Sequence, residues 1–260
     1  MEALWVAKTG LDAQQTRMTT ISNNLANVNT NGFKKGRVIF EDLLYQNVSQ
    51  AGGATSQDTE QPTGLNLGTG VRVVATEKSF TQGTTVNTGN SFDVMVSGRG
   101  FFQVLLPDGT QAYTRDGSFK IDSEGRLVTA SGYQVQPAIT VPTGVNSISI
   151  AGDGLIQATV TGQVAPVTLG TMQIADFINP AGLQPRGQNL LVETAASGAP
   201  QLGNPALEGR GELVQGSLEG SNVNVVEELV GMIETQRAYE MASKAISTSE
   251  QMLQYLNNNL

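Results

Sequence analysis

Every seventh residue near the end of this chain is apolar or aromatic: Val225, Met232, Tyr239, Ile246, Leu253 and Leu260. On a helix, a seven-residue apolar row is a seam for another helix. The opening thirty residues carry a matching pattern, with Leu4, Leu11, Met18 and Leu25 in one row, and Ala7, Ile21 and Val28 in the next, where Gln14 is the polar member. Each stripe is narrower than the face by which a globular helix docks on a core. The spacing predicts that the two ends pair as helices and assemble further with copies of the chain. The competing reading is a helical hairpin buried within one subunit.

Charge and chemistry narrow the classes. The net charge of -8, with no basic cluster beyond Lys34, Lys35 and Arg37, leaves nothing to displace counterions, so no nucleic-acid partner is expected. Without Cys or His there are no disulfides, thiolate or imidazole nucleophiles, or usual zinc ligands. Charged residues make up only 15% and Gly numbers 30, which suits close contact between like subunits. The start, Met1 to Trp5, has neither a basic region nor an apolar run. No cleavable signal peptide and no direct membrane insertion are expected.

In chain order, residues 1 to about 31 read as a helix of roughly 45 Å, closed by Asn31-Gly32. Asn23, Asn24, Asn27, Asn29 and Asn31 are concentrated where helix propensity disfavours them. They either cap a fraying last turn or bridge neighbouring helices through amides that both donate and accept. Residues 49–70 are rich in Gly, Ser, Thr and Gln, the composition of a flexible linker. From about Val71 to Leu218, short apolar runs are punctuated by Asp108-Gly109, Asp116-Gly117, Glu124-Gly125 and Asp153-Gly154. Acidic-Gly pairs of this kind mark hairpins, and the spacing favours an antiparallel barrel or sandwich. A closing helix begins where Asn224 can cap it and Glu227 can reach back. The fold class expected is therefore α+β, with coiled-coil-type terminal helices around an antiparallel β-rich middle.

Two long motifs point to a family. Ile21-Ser22-Asn23-Asn24-Leu25-Ala26-Asn27-Val28-Asn29-Thr30-Asn31-Gly32-Phe33-Lys34 resembles the N-terminal signature of the bacterial flagellar rod and hook proteins. Ser221-Asn222-Val223-Asn224-Val225-Val226-Glu227-Glu228-Leu229, followed by Gln236-Arg237-Ala238-Tyr239, is similar to their C-terminal pattern. Between them, Asp93 to Phe102 and Tyr113 to Phe119 resemble the family's shared β-domain. Ala7 to Gln15 is more similar to its distal rod members than to its proximal ones. The resemblance implies an inner assembly domain from residues 1–35 and 221–260, a rod-type stretch at 36–71 and an outer β-domain at 72–220.

On the same footing, the inner assembly contacts are expected from Leu4, Leu11, Met18, Ile21, Asn23, Asn24, Leu25, Asn27 and Val28 at one end. Val225, Met232, Tyr239, Ile246 and Leu253 are expected to supply those at the other. The stretch would touch adjacent subunits through Phe40, Leu43, Leu44, Tyr45, Pro62 and Leu65, with order in the polymer and mobility in the monomer. The implied product is a helical homopolymer in the periplasm-spanning basal body, a rigid shaft and export channel. Its implied partners are proximal rod proteins, the hook protein, the P-ring and L-ring proteins and the flagellar type III export apparatus, with no cofactor. Alternatives are a proximal rod or hook subunit, and an oligomeric adhesin with a helical stalk. A carbohydrate-active enzyme would need paired carboxylates, but Asp93, Asp108, Asp116, Asp122 and Glu124 mostly sit beside Gly in expected turns.

Overall fold

A computed structural model describes residues 2–51, 54–56, 59–60, 62–162 and 165–258; Leu260, the last member of the C-terminal row, lies outside them. The fold is α+β. Helix α1 spans Glu2–Ala26 and helix α2 spans Val225–Asn258, about 37 and 51 Å at 1.5 Å per residue. No helix among the described residues is long and apolar enough to cross a membrane.

The first helix stops short of Asn31-Gly32. Its last turn gives way to turns in which Thr30 N–H bonds the Asn27 carbonyl at 3.2 Å and Phe33 N–H bonds that of Thr30 at 3.3 Å. Asn27 and Val28 therefore lie beyond the helix. The cause is Asn24, whose side chain grips the backbone of Gly36 from both sides: its Oδ1 accepts the Gly36 N–H at 2.8 Å, and its Nδ2 donates to the Gly36 carbonyl at 2.9 Å. A tie to a residue twelve positions on draws the chain back against α1, which a helix continued to residue 31 would not allow. Asn224 behaves as expected, accepting the Val226 N–H at 3.1 Å as an N-cap.

Two compact units follow. One gathers residues 1–26, 36–77 and 224–260; the other gathers 27–35 and 78–223. In the helical unit, strand Gly36–Asp42 pairs with Val71–Lys78, and Tyr45–Ser49 pairs antiparallel with Leu65–Gly68, Tyr45 opposite Gly68 and Gln46 opposite Leu67. The segment with linker composition thus carries a β-ladder. Tyr45 and Val48 supply β-formers on one strand, and Leu65 and Leu67 alternate along the other.

In the β-unit, Phe101–Leu105 is the centre of a large antiparallel sheet, flanked by Gln111–Thr114 on one side and Gln134–Gln136 on the other. Alternation along this strand splits two cores. Phe102 and Val104 join Val94, Val96, Ala112, Phe119, Val135 and Ile174 on one face. Phe101 joins Tyr113, Ala175, Phe177, Leu183 and Leu191 on the other. The register confirms it, since Ala112 lies opposite Val104, and Tyr113 lies opposite both Gln103 and Leu191, and facing residues share a side. Edge-to-face rings, Phe102 on Phe119 at 5.0 Å and Tyr113 on Phe177 at 4.8 Å, fill the two cores.

Hairpin punctuation holds at three of the four acidic-Gly pairs, which join adjacent antiparallel strands around Gly109, Gly125 and Gly154. Asp116-Gly117 does not. It leads from Gln111–Thr114 to Lys120–Ile121, strands that are not neighbours, and Gly117 is where Val94 crosses so closely that a Cβ would strike the Val94 carbonyl. The carboxylates serve their own turns: Asp108 accepts from Thr110 N–H, Asp116 from Ser118 N–H and Asp153 from Leu155 N–H, each at 3.0 Å.

Candidate self-assembly surface

Within the helical unit, α1 and α2 run antiparallel. Asn24 Nδ2 donates to Glu228 Oε2 at 3.2 Å, Gly231 lies beside Ile21, and Arg17 approaches Glu234 at 3.7 Å. The seam is narrow and largely small or polar. Ala13, Ile21 and Asn24 are buried on α1, and Glu228 and Thr235 on α2. Gly231 and the buried Thr235, whose hydroxyl folds back onto the Gly231 carbonyl at 2.6 Å, let the helices approach closely. Of the two readings of the Asn-rich turn, bridging describes Asn24, which ties α1 to α2 and to the following strand inside a single chain.

The heptad row of α2 is only partly engaged by this pairing. Met232 and Ile246 are half-buried, whereas Val225, Tyr239 and Leu253 are exposed. The α1 row of Leu4, Leu11, Met18 and Leu25 is half-buried throughout. A second stripe, not anticipated from the heptads, runs along α2 through Val226, Leu229, Val230 and Ile233, all exposed, with Val226 at 70%. Exposed apolar side chains at helical spacing in such number exceed the scattering normal on a monomer surface.

The stretch contributes in the same unit. Phe40 and Leu43 are half-buried, while Leu44 (89% exposed), Tyr45, Pro62 and Leu65 face outward with Val48 and Leu67. Ion pairs Arg37–Glu77 at 3.0 Å and Arg72–Glu41 at 2.7 Å join its two flanking strands. Both are exposed and individually worth little.

The β-unit holds a buried ionic cluster. Glu219 is 1% exposed; its Oε1 meets Lys34 Nζ at 2.5 Å and accepts the Gly83 N–H at 2.9 Å, and its Oε2 meets Arg115 at 3.2 Å. Arg115 also donates to the carbonyls of Val96 and Gly98, and Lys34 to that of Thr81. Burial holds the Lys34 ammonium below its ordinary pKa despite the attraction of Glu219, and does the same to the Arg115 guanidinium. Beside the cluster, Gly32 at φ 68° donates its N–H to the Glu219 carbonyl at 2.7 Å. A Cβ on Gly32 would sit 2.6 Å from the Asp116 nitrogen. The cluster therefore clasps residues 31–35 and 217–219 to the strand that precedes Arg115.

Three family models match in chain order: flagella basal body rod protein over residues 4–34, flagellar hook protein FlgE/F/G D1 domain over 95–158, and flagellar basal body rod FlgEFG protein C-terminal over 214–259. The chain is 56% identical to the flagellar basal-body rod protein FlgG of Buchnera aphidicola from Acyrthosiphon pisum, covering 98% of each chain. It is 50% identical to that of Borreliella burgdorferi, over 99% of this chain and 98% of the relative. The chain belongs to the flagellar basal-body rod protein family. A relative named FlgF, from Caulobacter vibrioides, is 33% identical over 94% of this chain, so the similarity lies on the FlgG, distal-rod side. This rod protein is a structural axial subunit of the flagellar basal body, a family whose members assemble with other rod and hook components.

Two of the motifs that carry the family resemblance meet in space within the β-unit of this rod protein: Asn31 to Lys34 and Tyr113 to Phe119 come together at Glu219, two residues before the third motif begins at Ser221. Sequence reasoning quoted Lys34, Arg115 and Glu228 inside motifs without seeing that Lys34 and Arg115 share one carboxylate, and it passed over Glu219. The available signal was Glu219 itself, a charge placed directly after apolar Leu218 where the β-pattern ends.

Proposed function

We propose that this rod protein is the repeating subunit of an open helical tube, the distal rod, that works as a drive shaft from motor to hook and as a conduit for later subunits. In this reading residues 1–35 and 221–260 form the inner layer and 72–220 the outer one. Val225, Tyr239 and Leu253, with the rest of the inner rows, meet other copies, and Leu44, Tyr45, Pro62 and Leu65 stiffen the wall between neighbours. Proximal rod proteins and the hook protein would take the two ends, P-ring and L-ring proteins would surround the shaft, and the flagellar type III apparatus would deliver the chain. No enzymatic step belongs to this role.

A single observation carries the reading. The helices close one narrow, partly polar seam and leave the Val226–Ile233 stripe and three of the five described members of the α2 heptad row bare, a surface whose burial is worth on the order of 25 cal/mol per Å². Unlike surfaces meeting on identical copies give filaments when the rotation does not close. Electron microscopy of the purified chain, beside a version lacking residues 225–260, tests it. Tubes from the full chain and none from the shortened one are expected. A full chain that stays monomeric at high concentration, or stops at a fixed small oligomer, overturns it.

A further inference from the structure

We propose that a cleft beside the first turns of α1 receives the last turns of α2 from a second copy, so that each subunit offers a socket to one neighbour and a plug to another. The inference rests on the self-assembling reading above and names the contact that propagates it.

The plug follows from helix register. Asn24 lies level with Glu228, Ile21 with Gly231 and Arg17 with Glu234, so each step back along α1 is a step forward along α2. Carried to the start of α1, this puts Glu2 level with about residue 250, at 1.5 Å per residue on both helices. Helix α2 continues to Asn258. Roughly two turns, about 12 Å, therefore project past the described start of α1. Met252 and Leu253 in this projection are exposed, Met252 at 58%.

The socket is a cleft of about 560 Å³ lined by Leu4, Trp5, Lys8, Gln46, Leu67 and Thr69. The chain's single Trp stands at it 56% exposed, with Lys8 Nζ 5.6 Å from the ring centroid. A projection that leads away from the start of α1 does not fold back into a cleft beside it, so an α2 end that enters this cleft comes from another molecule. Charge selects which. Lys8 is the one charged side chain among the described residues that line the cleft, and the plug is entered through Glu250. A second copy of this chain brings apolar side chains and the opposite sign on one helix. Because socket and plug are different surfaces, the contact is heterologous and grows open chains instead of closing a dimer.

The chain has no Cys, so single cysteines report the contact cleanly. Leu67→Cys and Met252→Cys chains are prepared separately, mixed at assembling concentration and oxidised, and the crosslinked peptides are read by mass spectrometry. The expected result is a dominant mixed 67–252 disulfide in the polymer that is absent from dilute chains. Trp5→Ala should raise the concentration at which polymer appears about tenfold or more, as truncation of a buried interface Trp does. Lys8→Glu or Glu250→Lys alone should weaken assembly, and the two together in one chain should restore it. Polymers lacking the mixed disulfide, or crosslinked only 67–67 or 252–252, overturn the socket while leaving the rod reading intact; so does Trp5→Ala assembling at the unsubstituted concentration. Failure of the unsubstituted chain to polymerise removes the rod reading and the socket with it.

Discussion

Glu219→Gln should be among the most damaging near-isosteric changes available in this chain, because one carboxylate serves two cations from distant segments. The carboxylate is the shared anion of Lys34 and Arg115, which are 3% and 5% exposed. Replacing it with an amide leaves two buried cations facing a neutral group, and removing one partner from a buried ion pair costs about 3–5 kcal/mol. With a urea slope of about 2 kcal/mol per molar, that moves the unfolding midpoint down by about 2 M. Lys34→Met is the informative control. It removes one cation while Glu219 keeps Arg115, and it forfeits the 2.7 Å bond to the Thr81 carbonyl, so about 1–2 kcal/mol is expected. In the double variant Glu219→Gln does not strand an ammonium at position 34, and the two costs should fall short of their sum by at least about 1 kcal/mol. The assay is urea unfolding of the full chain followed by near-ultraviolet circular dichroism from the packed rings of Phe101, Phe102 and Tyr113. A Glu219→Gln chain within about 1 kcal/mol of the parent, or single costs that simply add, would refute the argument that one buried carboxylate neutralises both cations.

Three further outcomes can be measured. The Tyr113 phenol is fully buried, without a hydrogen-bond partner among the described residues, and burial, aided by Glu193, pushes its pKa from 10.0 up to about 12. The unfolded chain therefore gives up this proton first, stability falls as pH rises from 10 to 12, and the loss approaches about 2–3 kcal/mol; a tyrosinate absorbance titration should show Tyr113 lagging furthest of the five tyrosines, beyond Tyr45, which its hydrogen bond with Asp42 also raises, and Tyr113→Phe should remove that last step while leaving neutral-pH stability unchanged or raised by about 1 kcal/mol. Gly32→Ala meets both a left-handed φ and the Arg115–Asp116 backbone, and should destabilise the β-unit by about 1–3 kcal/mol in the same urea assay. Asn24→Ala removes the side-chain bonds to Gly36 and Glu228; a loss of about 2–3 kcal/mol is expected, visible as faster hydrogen exchange in the last turns of α1 and the first turns of α2.

Period and punctuation were written in the chain and carried over to the fold. The heptads, the Asn224 cap and the Asp-Gly turns at 108–109 and 153–154 depend on a few neighbouring residues, so they are legible locally. The same holds for the long terminal motifs, whose resemblance to flagellar rod and hook proteins led to the family. The end of α1 was not legible in this way. Asn31-Gly32 reads as a helix stop, but the helix had already ended at Ala26 because Asn24 found the backbone of Gly36, a partner twelve positions on. Composition also misjudged residues 49–70, where Leu65–Gly68 ladders with Tyr45–Ser49 although the Gly and Ser content argues against a strand.

What the chain alone determined is which residues fall on one line of a helix and which alternate along a strand, because those periods are set by backbone geometry. Which line faces the partner helix was decided in three dimensions. Close approach is possible only where Gly231 and Thr235 are small enough to admit α1, and this turned Val225, Tyr239 and Leu253 of the α2 heptad row outward. The meeting of Lys34, Arg115 and Glu219 belongs to the same category: a buried charge is tolerated only beside its opposite, and only the folded β-unit brings three distant segments to one carboxylate.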